Sequence, residues 1–363
     1  LTGGLEVTWI NGVRRLRPTS MEKYYRELAR ALGEAAPGEL SVTVNEMEGY
    51  ALPALRGVVN RYIIYSMKNM RLRPGLYHAL DHANAHLMRL LPAGSYRILT
   101  VHDVEQLKSP WRRWRDLPAK LLGKPGMLAA DRIIAVSGAT RDELVEVSGY
   151  PVERVTVIHN GVDHRTYRPD GRAARMPRPY MLYVGSEKPR KNIPGLLRVL
   201  DGLRGEGLIL VKAGRPGGEA HRRSTLSEMR RLGVESLVEL RGHVEEEELA
   251  ELYRGAVALV MPSLYEGFGI PVIEAMACGC PVVCSDIPAF REVAGEAALL
   301  FAPGDARGMA EAVLRLLHDR DFRRQLAARG TRRAGLFSWT RCAERHLEIY
   351  REAYGELSRG NKR

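Results

Sequence analysis

Short runs of aliphatic and β-branched residues alternate with longer stretches of helical periodicity along this chain. That alternation predicts an α/β architecture built on parallel sheets. In the first half, Leu5–Ile10 reads as a strand. Residues 21–32 place Tyr25, Leu28, Ala29 and Leu32 on one face of a helix, with Ser20 as its cap. Residues 97–102 (RILTVH) and 132–137 (RIIAVS) are apolar runs ending in polar residues, and a helical pattern follows the second over 139–147. Residues 155–159 (VTVIH) read as another strand, closed by the turn pair Asn160-Gly161.

Residues 167–179 (YRPDGRAARMPRP) break the pattern with three prolines and a glycine, and read as a linker. A second strand–helix series starts at Tyr180–Val184 and continues with strands at 207–213, 237–240, 257–261 and 281–285. Helices are expected between them, at 249–254 and 309–317 among others. A last long helix is expected over 339–357, with Ser338 as N-cap. The expectation is two doubly wound domains, residues 1–170 and 171–338, facing a cleft. Ligands of such folds bind at the carboxyl ends of the strands.

Composition changes this picture little, and charge changes it more. With 363 residues, 45% hydrophobic and 27% charged, the chain is an ordinary globular one. Two domains agree with about 150 residues each. The first residues show no initiator Met and no signal-peptide pattern, and no apolar run approaches the ~20 residues that span a bilayer. A cytoplasmic protein is expected, peripheral on the inner face of the membrane if it meets lipid. Cys278, Cys280 and Cys284 suit reduced, buried thiols, and no second ligand pair follows at zinc-site spacing.

The net charge is +12, and it is unevenly spread. Between residues 56 and 141 fifteen cations face five acids, an excess of ten. Within this stretch, residues 111–115 (WRRWR) interleave indoles with guanidinium groups. Such a run suits a membrane interface, and equally a solvated basic face with two Trp stems packed inward.

The densest chemistry lies in residues 262–286 (PSLYEGFGIPVIEAMACGCPVVCSD). They read as a glycine-rich loop, a short helix and a strand. Gly267 and Gly269 allow close backbone approach, and Pro271 suits the first turn of a helix. The amides at Phe268, Gly269 and Ile270 then stand at a helix N-terminus, a natural phosphate site. Glu266 and Glu274, eight residues apart, flank it as acceptors for vicinal hydroxyls.

The segment from Glu266 to Glu274 resembles the E-x7-E motif of retaining glycosyltransferases of GT-B architecture, family 4 (group 1) above all. Residues 183–192 (YVGSEKPRKN), 157–163 (VIHNGVD), 130–137 (ADRIIAVS), 100–103 (TVHD) and 337–339 (FSW) resemble further patterns of that family. The resemblance covers most of residues 76–354. It implies two Rossmann-like domains, the first binding the acceptor and the second the donor, with residues 339–363 crossing back to the first. It implies a UDP-, GDP- or ADP-sugar as donor, no separate cofactor, and a glycan or lipid-linked acceptor. Glu274 would hold the ribose hydroxyls and Glu266 the donor sugar. Phe268, Gly269 and Ile270 would present amides, and Lys191, with Arg190, would neutralise the diphosphate. His102 would lie near the transferred sugar, with Ser20, His82 and Asp103 on the acceptor side. The sequence departs from the family at two places. Ser186 stands where many members have an arginine, and Pro18-Thr19-Ser20-Met21 replaces a glycine-rich turn, leaving Thr19 and Ser20 hydroxyls to substitute.

Other readings explain less. Asp319-Arg-Asp321 has the letters of a metal-binding Asp-x-Asp but falls between two helical patterns, so no metal is expected. Gly214-Arg-Pro-Gly217-Gly218 lacks dinucleotide-binding spacing. A glycosidase using the two glutamates would leave the phosphate features unused. A basic nucleic-acid- or membrane-binding protein without transfer activity is the alternative. No nucleic-acid module is recognisable, so no nucleic-acid partner is expected.

Overall fold

The computed structural model describes residues 4–10, 20–45, 62–63, 65–108 and 117–360. The WRRWR run at 111–115, Thr19 and the side chain of Ser20 lie outside the described residues. The chain forms two compact units, one made of Leu1–Gly161 with Trp339–Arg363 and the other of Val162–Ser338.

In the first unit the strands are β1 (Leu5–Ile10), β2 (Leu40–Asn45), β3 (Leu76–Ala79), β4 (Tyr96–Val101), β5 (Arg132–Ala135) and β6 (Val155–Val157). They form one parallel sheet in the order β2-β1-β3-β4-β5-β6. Central strands β3 and β4 are buried almost throughout, as helices on both faces require, whereas edge strand β2 alternates. Two short strands, β2 and β3, lie outside the sequence expectations.

The last helix, Trp339–Ser358, packs on this sheet and on the helix Ser20–Ala35. Its Trp339, Leu347 and Tyr350 enter the core around Val7, Trp9 and Leu28. Buried polar groups fix its register. Trp9 Nε1 donates to the Tyr350 hydroxyl at 3.0 Å, and His78 Nδ1 lies 2.7 Å from the same oxygen. His346 Nδ1 donates to the Cys342 carbonyl at 2.7 Å, which leaves Nε2 to accept from the Tyr24 hydroxyl at 3.2 Å. Burial pushes both histidines down, His346 to about 4, so the network is neutral.

The second unit holds β7 (Tyr180–Val184), β8 (Ile209–Ala213), β9 (Val238–Gly242), β10 (Ala258–Met261), β11 (Val282–Ser285) and β12 (Leu299–Phe301). Their parallel order is β12-β11-β10-β7-β8-β9. The order reverses between β7 and β10, which makes the carboxyl ends of those two strands the topological switch point.

The chain passes into this unit at Val162, not at residue 171. The segment read as a linker is part of the second unit. Tyr167 is fully buried against Tyr253, and the Arg254 guanidinium donates to the carbonyls of Arg168 and Arg172. Prolines suited that segment to extended packing along a surface, and the buried tyrosine anchors it.

All four cysteines are buried free thiols. Asp319 ends one helix and caps the next by accepting from Phe322 N at 2.9 Å. None of the described helices is long and apolar enough to cross a membrane.

Candidate active site

The loops leaving β7 and β10 are stitched together at the switch point. After β7 the chain makes a single turn, Pro189–Lys191, ending at Asn192 in the left-handed region (φ 53°). Asn192 accepts from Gly195 N at 3.2 Å, capping the helix Ile193–Asp201. Its amide nitrogen also donates to the Pro262 carbonyl at 3.0 Å, just past β10. Leu264 N donates to the Arg190 carbonyl at 2.8 Å. These contacts bring Arg190 and Lys191 to Glu266.

Glu266 is the hub. Its Oε1 accepts from Lys191 Nζ at 2.5 Å and from Ser263 Oγ at 2.8 Å, and its Oε2 accepts from Arg190 Nη1 at 3.0 Å. Side-chain exposure falls to 7% at Glu266, 12% at Lys191 and 18% at Arg190. Burial pushes the Glu266 carboxyl up, but Lys191 and Arg190 outweigh it and hold the group below the usual carboxylate range. Glu266 is therefore ionised, between two cations that each keep a small exposed edge.

The glycine-rich loop continues from this hub. Gly269 has φ 107°, and a Cβ there would meet the Phe290 ring at 2.7 Å, so only glycine fits. It caps the helix Ile270–Ala277 with no side-chain bond, and Pro271 occupies the first turn. The Phe268 ring turns inward against Phe337. Glu274 is buried on the same helix, its Oε2 accepting from the Tyr253 hydroxyl at 3.0 Å. Thus Lys191, Arg190, Glu266, Phe268, Gly269, Ile270 and Glu274 gather within one unit.

A second carboxylate sits close by. Glu187, in the β7 loop, is wholly buried between Lys212 Nζ at 3.1 Å and Arg222 Nη2 at 2.8 Å. Beneath it the backbones of Gly185 and Gly214 touch. A Cβ on Gly214 would meet the Gly185 carbonyl oxygen at 2.7 Å. Ser186 lies against Gly217 in this joint.

In the first unit a separate group forms at the ends of β3 and β4. His102 Nε2 donates to the Leu80 carbonyl at 2.9 Å, and its ring meets Tyr24 edge-on. Burial lowers its pKa, with Asp81, His82 and Asp103 acting on it electrostatically. A neutral His102 with Nε2 protonated leaves Nδ1 as an acceptor. His82 lies 3.4 Å from Asp81 and 4.0 Å from Asp103, and its two buried ring nitrogens make no hydrogen bond. It lines a cavity of about 20 Å³, room for one water, together with Tyr62, His86 and Met127. Asp103 accepts from Glu105 N at 3.2 Å and so starts a helical turn. Ser20 is the first residue of the helix Ser20–Ala35.

Sequence reasoning missed the supporting residues Asn192, Ser263, Tyr253, Tyr167 and Glu187. Asn192 could have been found, since an Asn before a Pro-containing helix start is a capping signal.

A sequence profile described as Glycosyl transferases group 1 matches residues 168–333, and one described as Glycosyltransferase Family 4 matches residues 4–166. The chain is 34% identical over 236 residues to O-antigen chain mannosyltransferase B of Escherichia coli, a stretch covering 61% of each protein. It is 30% identical over 391 residues to a D-inositol 3-phosphate glycosyltransferase of Streptomyces bingchenggensis, covering 97% of this chain and 85% of that one. Its fold is similar to that of Anabaena HepE, solved in complex with UDP-glucose. The TM-score is 0.76 at 17% identity, over 95% of this chain and 99% of that one.

Proposed function

The chain belongs to the group 1, family 4 glycosyltransferases, and from that premise we propose that it moves a hexose from a nucleotide diphosphate-sugar to an acceptor hydroxyl with retention of configuration. The donor is a UDP-, GDP- or ADP-sugar. Mannose and glucose are the candidate hexoses, given the mannosyltransferase among its relatives and the UDP-glucose bound to HepE. The acceptor is a glycan or a lipid-linked one, in the synthesis of glycolipid, polysaccharide or another cell-envelope glycan.

The observation that carries this reading is the Lys191–Glu266–Arg190 cluster at the switch point, beside an N-terminus left without a side-chain cap. As the bond from the sugar C1 to the phosphate oxygen breaks, negative charge grows on the diphosphate. Lys191, Arg190 and the start of Ile270–Ala277 are the groups that stabilise it. Glu274, oriented by Tyr253, takes the ribose hydroxyls.

Both Glu266 oxygens already accept hydrogen bonds, and its carboxyl is held ionised, so it positions the sugar rather than attacking it or giving up a proton. The acceptor oxygen then bonds to C1 on the face the phosphate leaves, and the acceptor proton passes to the departing phosphate. His102 Nδ1 accepts from a sugar hydroxyl, and His82 and Asp103 serve the acceptor side. Protein cations meet the phosphate charge, so no metal ion is needed.

A thermal-shift panel of UDP-, GDP- and ADP-sugars tests the donor. One should raise the melting temperature in proportion to the logarithm of its concentration, and Lys191→Ala should abolish the rise. Transfer should survive a strong chelator. Loss restored by Mg²⁺ or Mn²⁺ would reject the metal-free mechanism.

A further inference from the structure

A series of buried hydrogen bonds runs through the first unit beside His102, and each proton in it has one place to be. The series ends at the Cys342 carbonyl, which can only accept, so His346 Nδ1, 2.7 Å away, carries its proton. His346 is neutral, and its Nε2 accepts from the Tyr24 hydroxyl at 3.2 Å. With that proton spent, the Tyr24 oxygen accepts from the Thr100 hydroxyl. The Thr100 oxygen then accepts from His78 Nε2 at 2.7 Å. A neutral His78 has no second proton, so its Nδ1 accepts from the Tyr350 hydroxyl at 2.7 Å. The Tyr350 oxygen accepts from Trp9 Nε1, a group that can only donate, at 3.0 Å.

All seven residues are buried, and they come from strands β1, β3 and β4, the helix Ser20–Ala35 and the return helix Trp339–Ser358. A buried network whose every member is satisfied in one direction has one arrangement and is costly to disturb.

Tyr24 is the member that touches the candidate site. Its ring meets the His102 ring edge-on, with centroids 4.7 Å apart and planes at 84°. It meets the Trp339 ring as well, at 5.7 Å. The bond from His102 Nε2 to the Leu80 carbonyl sets the tautomer of His102, yet one bond leaves a ring able to turn about it. An edge-on aromatic neighbour removes that freedom. The neighbour must itself be held, and the Tyr24 hydroxyl is tied to both His346 and Thr100.

We infer that Tyr24 is a positioning residue of the transfer reaction: tied at its hydroxyl to His346 and Thr100, it fixes the His102 ring and so the direction of the Nδ1 acceptor. The inference rests on the role proposed above for His102 toward the donor sugar. Through His346 the return helix then contributes to the reaction.

The test is a double-mutant cycle in the full chain. UDP-glucose, GDP-mannose or ADP-glucose is supplied, whichever raises the melting temperature, and release of the nucleoside diphosphate reads turnover. His102→Ala should lower kcat about thirtyfold, the cost of a hydroxyl left without its acceptor. Tyr24→Phe should lower it about tenfold, the cost of a misplaced group. The donor KM should stay within about twofold, because the donor is held by the second unit. The double variant should be no slower than His102→Ala alone. His346→Gln, which keeps a donor and an acceptor, should turn over about fivefold faster than His346→Leu, which keeps neither. Melting temperatures verify folding, and the His346 pair carries the test should Tyr24→Phe fail to fold. Additive losses in the double variant, or a Tyr24→Phe enzyme that melts lower but turns over like the parent, would overturn the inference and leave the proposed function standing. Turnover indifferent to His102→Ala would overturn it together with the role of His102. A parent whose melting temperature no donor raises would reject the proposed function itself, and the inference with it.

Discussion

Glu266 and Glu187 are two versions of one device, a carboxylate between two cations beside the same strand. They differ in access. The Glu187 side chain is fully buried and Lys212 is 2% exposed, while Arg222, 23% exposed, pairs with Glu187 from the helix Glu219–Leu232. Around Glu266 both cations keep a solvent edge. A closed cluster can only hold loops in place, here the β7 loop against the helix Glu219–Leu232. An open one can hold its own geometry and still meet an incoming anion. Frame and instrument can be built from the same chemistry, separated by whether the carboxylate and its lysine are sealed from solvent.

The comparison breaks most sharply at Lys191. Lys191→Ala should lower transfer about a thousandfold, as loss of a transition-state charge partner does, with a melting temperature close to that of the parent. Single-turnover rates with saturating donor check it. Glu187→Leu should do the opposite. It strands the buried Lys212, takes the partner from Arg222, and should cost about 3 kcal/mol of stability, read from denaturant midpoints. Joint replacement of Glu187 by Leu and Lys212 by Met should recover much of that loss, because an apolar pair tolerates burial. Similar catalytic and stability profiles for Lys191→Ala and Glu187→Leu would erase the distinction between the clusters.

Glu274→Ala should weaken donor binding by about tenfold to a hundredfold, the worth of hydrogen bonds to a charged group. Calorimetry with the matching nucleoside diphosphate measures it. The smallest effect is on pH. Unfolded histidines take protons near pH 6.5. Buried His346 takes one only near 4, and His78 is displaced in the same direction. The unfolded chain therefore binds more protons within that window. Stability should be complete above about pH 6.5 and fall as pH drops toward 4. Glu266, held below the usual carboxylate range, keeps its charge over most of that interval. Denaturant midpoints at pH 7 and pH 5 should differ for the parent and differ less for His346→Gln.

Much of the fold was legible because strands buried on both faces appear as uninterrupted aliphatic runs. Ala258–Met261 is such a run and wholly buried, and Val282–Ser285, opened by two valines, is buried throughout as well. Edge strand Leu40–Asn45 was not legible as one, because its Ser41 and Thr43 are exposed, the residues between them are only half-buried, and its Ser and Thr resemble a loop. Leu76–Ala79 was lost because four residues carry too little periodicity. The glutamate spacing and the helix start at Gly269 could be read from local chemistry. Tyr253 could not be linked to the site, because its partner Glu274 lies on another helix. Tyr167 misled most. It opens a proline-rich stretch that looked independent, yet its ring is sealed against Tyr253. Any hinge between the units therefore belongs at Gly161–Val162 and Ser338–Trp339, where the chain passes from one to the other.

The return of Trp339–Ser358 to the first sheet has a consequence for the order of events on the ribosome. Trp9 and Tyr350, 341 positions apart, share one buried hydrogen bond. The first unit cannot close its core until residues 339–353 have been made, whereas the second is continuous and can fold as soon as its own residues emerge. The unit begun first is finished last. Until then its six-stranded sheet lacks the helix that covers it and presents aliphatic surface, so a pause in translation between the two units exposes the N-terminal half to chaperones or to aggregation.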